Sequence, residues 1–224
     1  MGANEERRGA ELGIWTTCFY AVPNMQCIRE GEDLANLVYQ EASARGLNLR
    51  SGDVIVVGCE AVSRAEGCTV CLAELEPSAQ ALDISVDTGW SARLCELYLR
   101  ETKRTVAKPG VCISLHRLAA EWPAAGELSE EAVVVVPPHD ANASATELHD
   151  RLQKLSGMEL TVVISEMRAD SLKQSRGSIA IGVSGARLTV EEANWLATAA
   201  SMVARQANQW PGAVIVRGLQ LTRR

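Results

Sequence analysis

Between Ile28 and Gly67 the spacing of apolar residues changes once, and the rest of the chain hangs on that change. Leu34, Leu37, Val38 and Ala42 recur at helical spacing, and Glu30-Gly31-Glu32-Asp33 ahead of them supplies a cap and acidic residues for the first turn. Gly46 is expected to end that helix. Arg50-Ser51-Gly52-Asp53 has turn chemistry, and Val54-Ile55-Val56-Val57 is a continuous β-branched run of the kind that forms a strand covered on both faces. The run feeds into Ser63-Arg64-Ala65-Glu66-Gly67, read as a polar loop. Loops at the end of a buried strand are where many ligand sites are built.

On either side the pattern gives further elements. Residues 14–22 have strand composition and are closed by Pro23-Asn24. Residues 69–75 read as a strand, a helix begins near Ser78, and residues 90–104 form an amphipathic helix with its charges on the wet side. Strands are expected at 111–115 and 132–136, the latter ended by Pro137-Pro138, with a loop at 121–126 between them. Ser144 is read as the cap of a helix over 145–155, residues 160–165 as a strand, and residues 166–178 as polar, basic and irregular. A strand over 179–185, a helix from Val190 to about Gln209 capped by Thr189, and a last strand at 213–219 complete the order. Strands and helices interleave without a regular strand-helix-strand repeat, so the fold class is α+β with mixed β-sheets and packed helices. Residues 1–12 read as a loose tail, and residues 13–224 as one domain.

Composition narrows the partners. Of 224 residues 47% are apolar, ample for a core, while 22 basic residues against 28 acidic give a net charge of −6. That balance argues against a general nucleic-acid or anionic-membrane surface and for small ligands or protein partners. No apolar run reaches the roughly 18 residues of a membrane span, and the first residues lack an apolar signal segment, so a cytoplasmic protein is expected. Seven cysteines, an odd number, read as reduced thiols. Cys68-Thr69-Val70-Cys71 has no second pair or spaced histidines to complete a zinc site.

Motifs for chemistry are sparse. There is no phosphate-binding G-x-x-x-x-G-K-[ST], no dinucleotide G-x-G-x-x-G and no G-x-S-x-G serine, and His116, His139 and His149 are not paired at i, i+4. Arg64 is a candidate to hold an anion, with Glu66 steadying its segment, against the plainer reading of a surface ion pair. Glu166, following Ser165 at a strand end, is a candidate oxygen ligand for a hard cation.

The segments EGEDLANLV, SGDVIVVGCEAVSRAEG, PSAQA, LCELYLRET, VVVVPPHDANASATELHDRL, SIAIGVSG and PGAVIVRGL occur in an order that resembles the F420-0:gamma-glutamyl ligase family. The first two carry most of the resemblance. It implies an α+β fold, an intertwined homodimer, and GTP- and metal-dependent (Mn or Mg) amide ligation of L-glutamate to the deazaflavin F420-0. By resemblance the nucleotide-binding positions are Ile28, closing a loop from Met25, with Cys59, Ser63 and Arg64; arginine in place of lysine keeps the charge but not the geometry. Three metal motifs depart from the family pattern. Ala125 stands for an aspartate, Glu166-Met167 for Asp-Thr, and Asn194-Trp195 for Asp-Glu, leaving Glu166 as the metal candidate.

Three readings follow. The one favoured is a ligand-binding or regulatory family member, a pseudoenzyme with lost or much reduced ligase activity that keeps a nucleotide or deazaflavin pocket. The second is an active amino-acid ligase with an altered metal site recruiting Asp140, Asp170 or Glu191. The third is a structural or regulatory subunit paired with an active homologue.

Overall fold

The structure is a computed structural model that describes residues 16–25, 28–101, 105–108, 111–114, 132–170, 175–185, 188–208 and 212–219, with backbone alone for 105–108, 111–114, 167–170 and 175–176. The expected tail at 1–12, the loop at 121–126 with Ala125, and His116 lie outside these residues.

Its centre is a five-stranded mixed sheet, ordered β1 (Cys18–Val22), β9 (Ala213–Arg217), β2 (Val54–Gly58), β7 (Thr161–Asp170) and β8 (Ser175–Ser184). β2 runs parallel to β7; the other pairings are antiparallel. The β-branched run at 54–57 is buried throughout, as its composition predicts. Alternation sorts its side chains: Ile55 and Val57 face the layer of helices α1 (Leu34–Ser43), α2 (Cys59–Ala65) and α5 (Ala141–Ser156), while Val54 and Val56 face α6 (Val190–Gln206). Val162, Ile164, Ala213 and Ile215 join the first cluster; Val163, Val214 and Val216 join the second.

A smaller lobe lies between β2 and α5 in sequence. It contains the two-stranded sheet of β3 (Thr69–Cys71) and β6 (Val133–Val135), the helices α3 (Ala79–Thr88) and α4 (Ala92–Glu101), and the hairpin of β4 (Thr105–Lys108) and β5 (Val111–Ser114). Leu72, Leu75, Leu94, Leu97, Tyr98, Val134 and Val136 form its core, with Trp90 tilted against Tyr98 at a centroid distance of 5.5 Å.

Several local expectations change. Residues 59–65, read in part as the polar loop, form α2, because the small residues of CEAVSRA permit a helix directly after Gly58. Residues 166–178, read as irregular, lie largely in β7 and β8, which extend as an antiparallel ribbon beyond a bulge at Ile164/Ser165; cross-strand pairing overrides their polar composition. Asp140, not Ser144, caps α5, accepting from the N–H groups of Asn142 and Ala143. Asp33 caps α1, whose first turn holds no acidic residue. The strand expected at 69–75 stops at Cys71 and passes into a 3-10 turn over Leu72–Glu74. Thr189 does cap α6, in a reciprocal capping box with Glu192, and that helix ends at Gln206.

Two carboxylates tie distant segments. Asp53, almost fully buried at the entry to β2, accepts from Arg217 Nε at 2.8 Å and Nη2 at 2.6 Å, and from the Arg50 N–H. Removing one member of such a pair strands a buried charge, so Asp53→Ala should lose about 3–5 kcal/mol of stability in urea titration, and the double exchange Asp53→Leu/Arg217→Met clearly less. Glu96 on α4 accepts from Arg100 and from the Ser78 N–H at the start of α3. The hydrogen bonds from Arg100 and Ser78 hold its carboxyl down to about 2. A depressed carboxyl stabilises the fold fully above its unfolded value near 4.5 and loses that contribution as pH falls toward 2. Chemical denaturation across this window should show a flatter acid limb for Glu96→Gln than for the parent protein.

Candidate functional site

The parallel pair β2 and β7 ends with Gly58 opposite Ser165, and ligands of open α/β sheets gather beyond such carboxyl ends. One residue further on each chain stand Cys59, which opens α2, and Glu166. The sequence-derived nucleotide residue Cys59 and metal residue Glu166 therefore come together. Cys59 is 3% exposed, and its thiol hydrogen-bonds the Glu166 carboxyl. Burial, reinforced by the negative charge of Glu166, pushes the Cys59 thiol well above its ordinary range, against a smaller opposing contribution from Ser63, whose Oγ lies 3.7 Å from Sγ. Ser63 itself is fully buried.

Arg64 lies elsewhere on the helix. Its Nε and Nη2 both donate to Glu60 Oε1, at 3.1 and 2.8 Å, and both side chains are 41% exposed. This is a surface ion pair, formed with Glu60 rather than with the Glu66 of the same segment, and the guanidinium is still open to solvent on one side. Ile28 is buried in the main core with Met25, so it gives an apolar side chain to the core rather than a polar group to a ligand.

The two segments most specific to the family pattern pack on each other. The Gly31 N–H donates to the Ala65 carbonyl at 2.9 Å. Gly67 has φ of +69°, and a Cβ there would fall 2.7 Å from the Glu30 carboxyl, so the position admits little but glycine. Beside this contact a cavity of about 180 Å³ opens between α1, α2 and α5, floored by Leu34, Val62 and Leu148 and rimmed by Glu32, Glu66, Glu147 and Arg151. Arg151 is held by Asp33, whose other oxygen caps α1. Three carboxylates against one paired guanidinium make this rim a poor receptor for phosphate.

The remaining metal candidates do not converge. Asn194 donates no ligand toward Glu166; its Oδ1 accepts the Ala180 N–H of β8 at 2.9 Å. Trp195 and Glu191 stand exposed on α6, and Asp140 is occupied in capping α5. The Asp170 side chain lies outside the described residues. Among the described residues no three His, Cys, Asp or Glu groups are placed to hold a metal ion. His149 is bonded to Asp150, and Cys68 and Cys71, neither of them in a disulfide, flank and lie within β3.

Sequence reasoning missed the Asp53–Arg217 and Asp33–Arg151 pairs, which join residues far apart in the chain. The single cation closing the apolar run AVIVR was the available clue to the first. It also missed the thiol-carboxyl contact at Glu166, which depends on the register of β2 against β7. From the burial of Cys59, mass spectrometry after iodoacetamide treatment should find it unmodified in the native protein and alkylated once urea unfolds the chain, while Cys71 reacts earlier.

A sequence model of the F420-0:Gamma-glutamyl ligase family matches residues 24–193. Coenzyme F420:L-glutamate ligase of Methanopyrus kandleri is 31% identical over 230 residues, covering 93% of this chain and 89% of that protein. The proteins of the same name from Methanothermobacter thermautotrophicus and Archaeoglobus fulgidus are 30% and 28% identical, covering 88% and 90% of this chain and 87% and 88% of their own lengths. With the two signature segments packed together at the head of α1 and the tail of α2, the chain belongs to the F420-0:gamma-glutamyl ligase family.

Proposed function

We propose that this chain is a ligand-binding or regulatory member of the family in which coupling of L-glutamate to F420-0 is lost or much reduced. One observation carries the reading: the carboxylate surviving on β7 just past its pairing with β2, Glu166, bonds a buried thiol, while the polar side chain offered by α6, Asn194, is spent on the backbone of β8. A hard cation prefers about six oxygen ligands, and a thiol facing the carboxylate offers it none. In phosphoryl transfer the cation supplies much of the charge neutralisation, so a weakened cation site removes rate before it removes binding.

The ligand class that suits the retained scaffold is a nucleotide such as GTP or a phosphate-bearing deazaflavin. Arg64 is the cation of the signature segment able to meet its phosphate, from the solvent side of the Glu60 pair. The acidic cavity rim between α1 and α5 is left to other groups.

The test is purified protein with GTP, manganese, L-glutamate and F420-0, following product by mass, beside calorimetric titration with GTP. Expected are no product above background and GTP binding that Arg64→Ala weakens severalfold without moving the melting temperature. Turnover comparable to an active relative, abolished by Glu166→Ala, would overturn the reading in favour of an active ligase with an altered metal site.

A further inference from the structure

The cavity between α1, α2 and α5 has a chemistry that a nucleotide does not use. Its floor is apolar, made by Leu34, Val62 and Leu148 of the main core. Water against such a floor lacks hydrogen-bond partners, so the hollow favours an apolar body over solvent. At about 180 Å³ it is smaller than the ~300 Å³ at which pockets for drug-sized ligands begin, which suits a short chain and not a fused ring system.

The rim calls for hydrogen-bond donors. Glu32, ahead of α1, accepts the Arg29 N–H through Oε2 alone, and Glu66, at the tail of α2, has no hydrogen bond or ion pair among the described residues. Glu147 on α5 lies 3.8 Å from Arg151, and Arg151 is itself held by Asp33. Ser144 gives its proton to the Asp140 carbonyl at 3.1 Å, which leaves its Oγ an acceptor. A ligand that meets this rim must bring N–H groups and positive charge.

The carboxylates stand on two sides of the floor. The bond from the Gly31 N–H to the Ala65 carbonyl draws the segments of Glu32 and Glu66 together, while Glu147 belongs to α5. Among the described residues no three acidic, histidine or cysteine groups are placed to hold a metal ion. A point charge is therefore matched poorly here, and a cation with its charge at two separated ends is matched well.

We propose that this cavity binds an aliphatic diamine. Its carbon chain lies on Leu34, Val62 and Leu148, one ammonium meets Glu32 and Glu66, and the other meets Glu147 and Ser144. The inference does not rest on the reading above, since none of these side chains is Cys59, Glu166 or Arg64.

Calorimetric titration of the full chain with 1,4-diaminobutane tests it, at low ionic strength so that the exposed carboxylates are not screened. The diamine should saturate a single site, 1-aminobutane should bind about threefold more weakly or less, and magnesium chloride at equal ionic strength should not compete. Glu66→Gln and Glu147→Gln should each weaken diamine binding about threefold and together about tenfold, with the melting temperature unchanged. Asp87→Asn, an exposed carboxylate lost from α3, should leave it unaltered. No saturable heat, equal affinity for the monoamine, a double variant that binds as the parent does, or an equal loss in Asp87→Asn would each overturn the proposal.

Discussion

β2 must be apolar on both sides because it lies in the middle of the sheet with helices over each face, and this constraint fixes the rest of the molecule. Its two neighbours, β9 and β7, are held to the same requirement and answer it with AVIVR and the buried residues Thr161–Ser165. A one-residue slip of any of these strands would exchange the two cores, moving Ile55, Val162 and Ile215 from the α1–α5 side to the α6 side. The charged end of β9 guards the register. Arg217 can reach Asp53 and the Asn48 carbonyl only when β9 is in step with β2, and it also lies 5.7 Å from the Tyr20 ring of β1.

Interfaces in the sheet are not all oily. Toward β8 the α6 contact becomes a seam of hydrogen bonds: Ser165 donates to the Ala197 carbonyl, Ser178 to Ser201, and Thr198 to the Ser178 carbonyl. Asn194 accepts from Ala180, and Asn142 at the head of α5 accepts from Val183, so two side chains from opposite layers satisfy backbone donors of β8. β8 closes one end of the sheet order, and an edge with its N–H groups taken up this way resists pairing with another strand. Close approach makes this possible: at Gly182 a Cβ would meet the Ala141 carbonyl oxygen at 2.0 Å.

Elements governed by local pattern were legible in the sequence. The run at 54–57, the spacing of Leu34, Val38 and Ala42, and Thr189 ahead of Glu192 all carry their structure in a few neighbouring residues. What could not be read depends on long-range pairing. Residues 166–170 and 175–178 have no strand pattern of their own and become strands because each is the other's partner. The CEAVSRA segment is small and polar enough to read as loop, and becomes helix because Gly58 delivers it at the sheet's end. At the candidate site the residues themselves were found, Cys59, Ser63 and Glu166 among them, but their relation was not. A thiol facing a carboxylate is a consequence of Gly58 standing opposite Ser165, which no local feature announces.

The fold and the chemistry are anchored at opposite ends of the same strand. Asp53 and Arg217 act where β2 begins, and Cys59 and Glu166 lie where it stops. Substitutions at Glu166 therefore leave the buried ion pair untouched, whereas Cys59 also belongs to the apolar core on the α1–α5 side. Mutational effects at sites well separated and without shared partners are close to independent. A lineage could exchange metal ligands for a neutral amide or a thiol there without first losing the scaffold, whereas exchange at Asp53 would cost the fold directly. That asymmetry lets the signature contacts of Gly31 and Gly67 stand independently of which side chains line the carboxyl end of β2.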